Sequence, residues 1–220
     1  MKKYIFLLLL LGLSAYTFAQ TDSLRYKYNP NYNLHLDMYE VYNTRQADIV
    51  MLGNSITYGV NWAELLGRND VVGRGIPSDI VEGFRNRLKY VFNLKPKVCF
   101  IMGGINDIYG WIPVDEVFES YVKLIQELQT KNIIVVIQSA LYVSSRWPNA
   151  ENRNPEVEKL NIKLSGYAAK NNLIFMDLNS RLSFRRFLIE DMTYDGVHLT
   201  GKAYKIWGRE IEKVLKKLGI

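Results

Sequence analysis

A serine, a histidine and an aspartate stand in this chain where they could act together. Ser55 follows the apolar run Ile49-Val50-Met51-Leu52 and the pair Gly53-Asn54. A run that short, rich in β-formers, reads as a strand buried on both faces of a parallel sheet. Ser55 then lies at the carboxyl edge, where open α/β sheets bind ligands, and nearby amides would face an anion. Alone, the stretch fits a nucleophile or an ordinary helix cap equally well. Its Gly-x-Ser-x-Thr also differs from the Gly-x-Ser-x-Gly elbow. Far downstream, Tyr194-Asp195-Gly196-Val197-His198 offers a base and, three residues earlier, a carboxylate to orient it. The other histidine, His35, precedes the sheet and reads as a surface or packing residue. Attack by a serine on an ester needs a base, an acceptor that sets its tautomer, and donors for the oxyanion. Ser55, His198 and Asp195 are the predicted nucleophile, base and acid. The Ser55 and Gly75 amides and the Asn106 carboxamide are the predicted oxyanion donors, the missing side chain at Gly75 leaving room for an acyl group.

These residues need a scaffold that brings distant positions to one edge. Further apolar runs follow at Val71-Val72, Lys97 to Met102, Asn132 to Gln138 and Leu173 to Leu178. Between them, helical patterns cover Trp62 to Leu66, Ile80 to Val91, Val114 to Thr130 and Pro155 to Lys170. A closing helix is predicted over Lys202 to Leu218, and Arg181 to Asp191 is ambiguous. Solid apolar strands alternating with helices predict an α/β three-layer sandwich with a five-stranded parallel sheet, flavodoxin-like order 2-1-3-4-5. Ser55, Gly75, Asn106 and the 195–198 loop then converge on one edge. Neighbouring Asn54, Ile76, Asp107 and Val197 are expected to line the substrate. Tyr109, Trp111, Tyr142 and Trp147 lie in loops and could form a sugar platform or pack those loops.

The chain opens with Lys2-Lys3, an apolar block from Tyr4 to Leu13 and small residues up to Ala19. This reads as a signal peptide over 1–19, shorter than a spanning helix, so the chain is expected to be exported to the periplasm or secreted, with no stable membrane insertion. Residues 20–47 read as a tyrosine-rich extension with a short helix from Leu34 to Tyr42, and 48–220 as one domain. Without Lys2 and Lys3, 26 basic residues face 22 acidic ones, a charge of +4. The basic residues, including Arg85, Arg87 and Lys89, are scattered like solvated helix faces. No concentrated basic stripe suggests nucleic acid. The single cysteine, Cys99, lies in an apolar run, which excludes a disulfide framework and reads as core. No metal or cofactor is expected.

Four blocks together resemble the SGNH hydrolases, or GDSL esterases. They are Gly53-Asn54-Ser55-Ile56-Thr57, Arg74-Gly75-Ile76-Pro77-Ser78-Asp79, Gly104-Ile105-Asn106-Asp107 and Asp195-Gly196-Val197-His198. The resemblance spans about Asp48 to Leu218. It implies the same sandwich, a metal-free serine hydrolase and the roles assigned above. Asn54 departs from the family's Asp and removes a negative charge beside Ser55. Pro77-Ser78 stands where a glycine-rich pair is usual and is expected to reshape the acyl pocket. The second and third blocks resemble the platelet-activating-factor acetylhydrolase-like branch, whose members favour short acyl groups. The expectation is an esterase for short-chain, acetyl-type esters on a small molecule or glycan. A lysophospholipase or thioesterase acting on longer chains is the alternative, and a non-catalytic glycan-binding protein a third reading. The loop from Ser139 to Asn154 is polar and looks unlike a hydrophobic lid.

Overall fold

The computed structural model describes residues 24–220, and the predicted signal peptide lies outside them. The strands are β1 (Ile49–Gly53), β2 (Val71–Gly75), β3 (Val98–Met102), β4 (Ile134–Gln138) and β5 (Ile174–Met176). They pair in parallel in the order β2-β1-β3-β4-β5, as the sequence predicts. Every residue of β1 and β3 is buried, which is why both read as unbroken apolar runs.

In chain order the helices begin with α1 (Pro30–Val41), α2 (Ser55–Tyr58), α3 (Trp62–Leu66), α4 (Val81–Asn86) and α5 (Lys89–Phe92). They continue with α6 (Ile105–Tyr109), α7 (Val114–Gln129), α8 (Ala150–Lys170), α9 (Asn179–Leu182) and α10 (Gly201–Leu218). Helices α4, α7 and α8 pack side by side, and α3 packs with α10. Right-handed crossovers put these groups on opposite faces, because the chain moves from β1 first to one neighbour and then to the other. The ambiguous stretch holds α9 and a small antiparallel hairpin, β6 (Ser183–Phe184) with β7 (Phe187–Leu188).

Three helices differ from their predicted extents, the first being α1, which starts at Pro30 and not at Leu34. The helix expected over Ile80 to Val91 breaks between α4 and α5, because Arg87 turns its side chain inward and leaves the helical backbone. Helix α8 begins five residues before Pro155 and carries that proline inside. The Asn154 carboxamide holds this turn: it accepts from the Val143 amide at 3.0 Å and donates to the Val143 carbonyl at 2.9 Å. Such contacts offset the bias against helix just before proline.

The described part of the segment read as an N-terminal extension packs on the sheet. Tyr26, Tyr32, Tyr39 and Ala47 belong to the same core as the sheet. The Tyr39 hydroxyl donates to the Gly75 carbonyl at 3.0 Å, Tyr32 to Gly83 at 2.9 Å, and the Asn29 carboxamide to Pro77 at 2.8 Å. Tyrosine suits this work, burying a ring while its hydroxyl reaches backbone.

Arg87 is fully buried rather than on a solvated face. Its guanidinium bonds the Asp79 carboxylate at 2.8 Å, the Arg74 carbonyl at 2.8 Å and the Gly53 carbonyl at 2.9 Å. Replacing it by Arg87→Met strands the Asp79 charge, and loss of one partner of a buried pair costs ~3–5 kcal/mol. Urea unfolding of Arg87→Met is expected to show that loss. Arg87→Lys should recover only part of it, because an ammonium cannot hold a planar three-way contact. A Met variant within ~1 kcal/mol of the parent would remove Arg87 from this role.

Candidate active site

The site begins with a helix of one turn. Asn54 caps α2, its Oδ1 accepting from the Ile56 amide at 3.0 Å, so Ser55 takes the first helical position. An amide there has no intrahelical acceptor. The far end of α2 is held from outside: Tyr204 of α10 donates to the Ile56 carbonyl at 2.7 Å, and the Trp62 indole to Thr57 at 2.8 Å. Trp62 in turn meets Trp207 edge-on at 4.8 Å between centroids.

His198 reaches Ser55 from the last loop, with its Nε2 2.9 Å from the serine Oγ. Its Nδ1 lies 2.6 Å from Asp195 Oδ2. Asp195 Oδ1 accepts from the Val197 and His198 amides at 2.9 and 2.7 Å, so the loop folds around its own carboxylate. Burial works to raise the Asp195 pKa, yet the bonds from His198 and the two amides hold it below the usual carboxylate range. A charged Asp195 requires the proton of His198 on Nδ1, leaving Nε2 to accept from the serine hydroxyl. Gly196 allows this tight loop, with φ at +105° and its carbonyl accepting from the Ser144 amide at 2.8 Å. Tyr194 stacks parallel to the His198 ring at 6.0 Å.

Asn106 lies in α6, half-buried, its Nδ2 donating to the Asp79 carbonyl at 2.8 Å. The second Nδ2 hydrogen remains for another acceptor. Gly75 is placed differently from its predicted role. β2 runs through Gly75 instead of stopping at Val72, and the Ile76 amide pairs with Gly53 of β1 at 3.1 Å. The Gly75 carbonyl therefore points to the outer edge, toward Tyr39, and its own amide shares that side, away from Ser55. Glycine is needed for packing: a Cβ would overlap the Tyr58 amide and sit 2.8 Å from the Asn54 carbonyl. The exposed residue here is Ser78. Ile76 to Asp79 form a type II turn, with Pro77 at its second position, Ser78 at φ +60° and a 3.2 Å bond from the Asp79 amide to Ile76. Ser78 is exposed and next in chain to Asp79, whose carbonyl Asn106 holds.

Three residues expected to line the substrate are sealed in the interior. Asn54, Ile76 and Asp107 are 0%, 0% and 2% exposed. Asn54 caps α2, its Nδ2 a buried donor without a partner, while Asp107 accepts from the Val81 amide at 3.1 Å. Val197 is buried beside the histidine. Of the four aromatics, Tyr109 and Trp147 meet edge-on at 6.5 Å, and the Tyr109 hydroxyl donates to Pro148 at 3.0 Å. Trp111 stands exposed two residues beyond Tyr109, whereas Tyr142 lies apart, among the charges of Glu158, Asp177 and Arg186. The polar loop after β4 turns several side chains inward, with Ser139, Ser144 and Asn154 buried. Cys99 is buried in β3, as expected of core, and burial pushes its thiol pKa up.

Comparison with known proteins settles the family. The GDSL-like lipase/acylhydrolase family profile matches residues 51–206. The chain belongs to that family. A GDSL-like lipase from Bacteroides thetaiotaomicron VPI-5482 superposes with a TM-score of 0.75 at 24% identity, covering 86% of this chain and 98% of that one. An acetyl xylan esterase superposes at 0.65 with 20% identity, covering 76% and 98%. An N-acylneuraminate cytidylyltransferase of Streptococcus agalactiae serotype III (strain NEM316) is 26% identical over 159 residues, 72% of this chain. The chain spans about a third of such curated relatives, 36% in that case. Among its described residues no helix is long and apolar enough to cross a membrane.

Beneath this site lie two carboxyl groups that burial drives upward. Asp79 is raised to about 6 against the pull of Arg87, and Asp107 to about 7 against its hydrogen bonds from amides. An acid that holds its proton more tightly when folded stabilises below its unfolded pKa and loses that contribution as pH rises. For Asp107 the window runs from its ordinary 3.8 to about 7. Asp107→Asn should therefore gain melting temperature relative to the parent as pH climbs through that window and level off above it. A difference between the two proteins that stays constant with pH would contradict the shift.

Proposed function

We propose that this acylhydrolase is an exported serine esterase that removes acetyl groups from carbohydrates. The observation that carries the reading is the unbroken series from Ser55 Oγ to His198 Nε2 at 2.9 Å and from His198 Nδ1 to Asp195 Oδ2 at 2.6 Å. Ser55 Oγ attacks the acetyl carbonyl as its proton passes to His198 Nε2, and Asp195 stabilises the imidazolium. The oxyanion is met by the Ser55 amide, the free hydrogen of the Asn106 carboxamide and the Ser78 amide, which takes the place first assigned to Gly75. The sugar alcohol leaves with the proton held on His198. Water, deprotonated by the same imidazole, then releases acetate and restores Ser55.

Several features support an acetylated sugar. The rim carries exposed Ser145, Arg146, Asn149, Glu151 and Asn152, with Trp111 and Tyr109 beside Asn106. Two of the similar proteins are named for sugar chemistry, an acetyl xylan esterase and an N-acylneuraminate cytidylyltransferase. The basic, apolar start of the chain supports export. A lysophospholipase or thioesterase is the second reading, favoured by an apolar surface of Phe184, Phe187 and Ile189.

The two readings part on chain length. Each buried methylene is worth ~0.8 kcal/mol to a site with an apolar groove. An acetylesterase is therefore expected to prefer p-nitrophenyl acetate and to fall near background by octanoate. A steady gain in kcat/KM with length would replace this reading with the lipid one. Ser55→Ala should lose kcat by several orders of magnitude with the fold intact, leaving ~10³–10⁴-fold catalysis over water. Asn106→Ala should lose ~10²–10³ in kcat. A rise in KM alone would make Asn106 an ordinary substrate contact.

A further inference from the structure

Arg153, in the first turn of α8, is a buried cation without a hydrogen-bonding or ionic partner for its guanidinium among the described residues. It is 8% exposed, yet among the described residues no hydrogen bond or ion pair engages its guanidinium. Its nitrogens are not among the sealed, partnerless atoms, so the group opens toward solvent. The other deeply buried arginines behave differently. Arg87 is saturated as described above, and Arg74 donates to Gly73 and Tyr90 beneath Tyr39. The nearest helical acid, Glu156 at i+3, is taken by Lys159 at 2.7 Å, and Val157 occupies i+4.

What Arg153 does touch is Trp111. Its guanidinium carbon lies 3.1 Å from the centroid of the indole ring. Trp111 is itself 72% exposed and sits at φ +59°, a strained conformation for a bulky residue. One face of the indole thus covers the arginine while most of the ring meets water. A series of contacts through Tyr109 and Trp147 links the pair to the loop that carries His198. Asn106 and Tyr109 share one turn of α6 and Trp111 follows two residues on, and burial raises the Tyr109 hydroxyl to about 12 with the Arg153 charge opposing. Tyr109 leans on Trp147, whose side chain lies 3.4 Å from where a Cβ on Gly196 would be, between Asp195 and His198.

We propose that Arg153, roofed by Trp111, recognises the carboxylate of an acidic sugar, so that the enzyme selects O-acetylated acidic glycans over neutral ones. A planar guanidinium with free donors matches a carboxylate bidentately, and its pre-set orientation on the indole lowers the ordering cost of binding. The exposed indole surface packs on the pyranose ring. The inference rests on the acetylesterase reading for its catalytic meaning, but binding can be read without turnover.

Titration calorimetry with galacturonate, N-acetylneuraminate, galactose and galactose 6-sulfate tests it. An acidic sugar should bind about 10–100-fold more tightly than galactose, the size of one charge-assisted hydrogen-bonded contact. Arg153→Met should erase that preference, Arg153→Lys keep part of it, and Trp111→Ala, a change at an exposed position, weaken it. In parallel, the kcat/KM ratio for acetylated galacturonan over acetylated xylan fragments should fall toward one in Arg153→Met. Equal binding of galactose and both acidic sugars overturns the proposal, as does an undiminished preference in Arg153→Met. Tighter binding of the sulfate overturns the carboxylate assignment. Carboxylate binding through Arg153 without hydrolysis of any acetylated sugar would sink the acetylesterase reading and leave this one standing.

Discussion

The buried guanidinium of Arg87 ties together three stretches of backbone that would otherwise meet only at strand ends. It bonds the carbonyls of Gly53 and Arg74 and the carboxylate of Asp79. Gly53 closes the strand before Ser55, and Asp79 closes the turn that carries Ser78. A cation with no exposure is tolerable only when its donors are met. Because two of its acceptors are main-chain carbonyls, meeting them fixes where β1 and β2 end. The requirement reaches the site through one more bond, from Asn106 to the Asp79 carbonyl at 2.8 Å.

The same device recurs along the active edge. Past the last ladder pair, backbone groups have no strand partner, and loops there must find other acceptors and donors. Tyr204 and Trp62 satisfy α2, Tyr39 and Asn29 satisfy the β2 end, and Asn154 satisfies the loop after β4. Asn179 does the same for Ala140, its Nδ2 donating at 2.8 Å. Side chains from other elements thereby satisfy the backbone of these loops, while the 194–198 loop is held by its own Asp195 carboxylate. Oxyanion donors act through such preorganisation, since a loop that must reorganise during reaction gives back what it stabilises.

Which of these features could be read from residue order follows from how local each signal is. The strands were legible because burial on both faces leaves an unbroken apolar run, as in Val98 to Met102. Ser55, Asp195 and His198 were legible because each closes or follows a short loop motif. Arg87 was not: its spacing with Arg85 and Lys89 looks like a wet helix face, and only the tertiary fold turns it inward. Gly75 misled because Gly73 and Gly75 after a short apolar pair suggest a loop, whereas here β2 continues through both and Gly75 packs against the Asn54 carbonyl. Pro77 at the second position of a turn followed by Ser78 was the available clue to the residue exposed there. Asn54, Ile76 and Asp107 show that being next in chain to a site residue says nothing about exposure, because neighbours alternate between facing out and facing the core.

The two arginine environments separate what any esterase of this fold needs from what gives one its preference. Arg87 has each of its three guanidinium nitrogens engaged and shapes the frame on which Ser55 and Asn106 sit. Arg153 has its donors free, beside an indole that is exposed over most of its surface. Attack by a serine on an acetyl group is the same chemistry whatever alcohol the acetyl esterifies, so the catalytic residues cannot choose among substrates. Discrimination has to come from groups that meet the leaving alcohol, and a polar group left unpaired by the wrong partner discriminates far more strongly than an apolar surface does. The region between Tyr109, Trp111 and Arg153 has the one feature that the sealed interior beneath Ser55 lacks, a charge waiting for a partner.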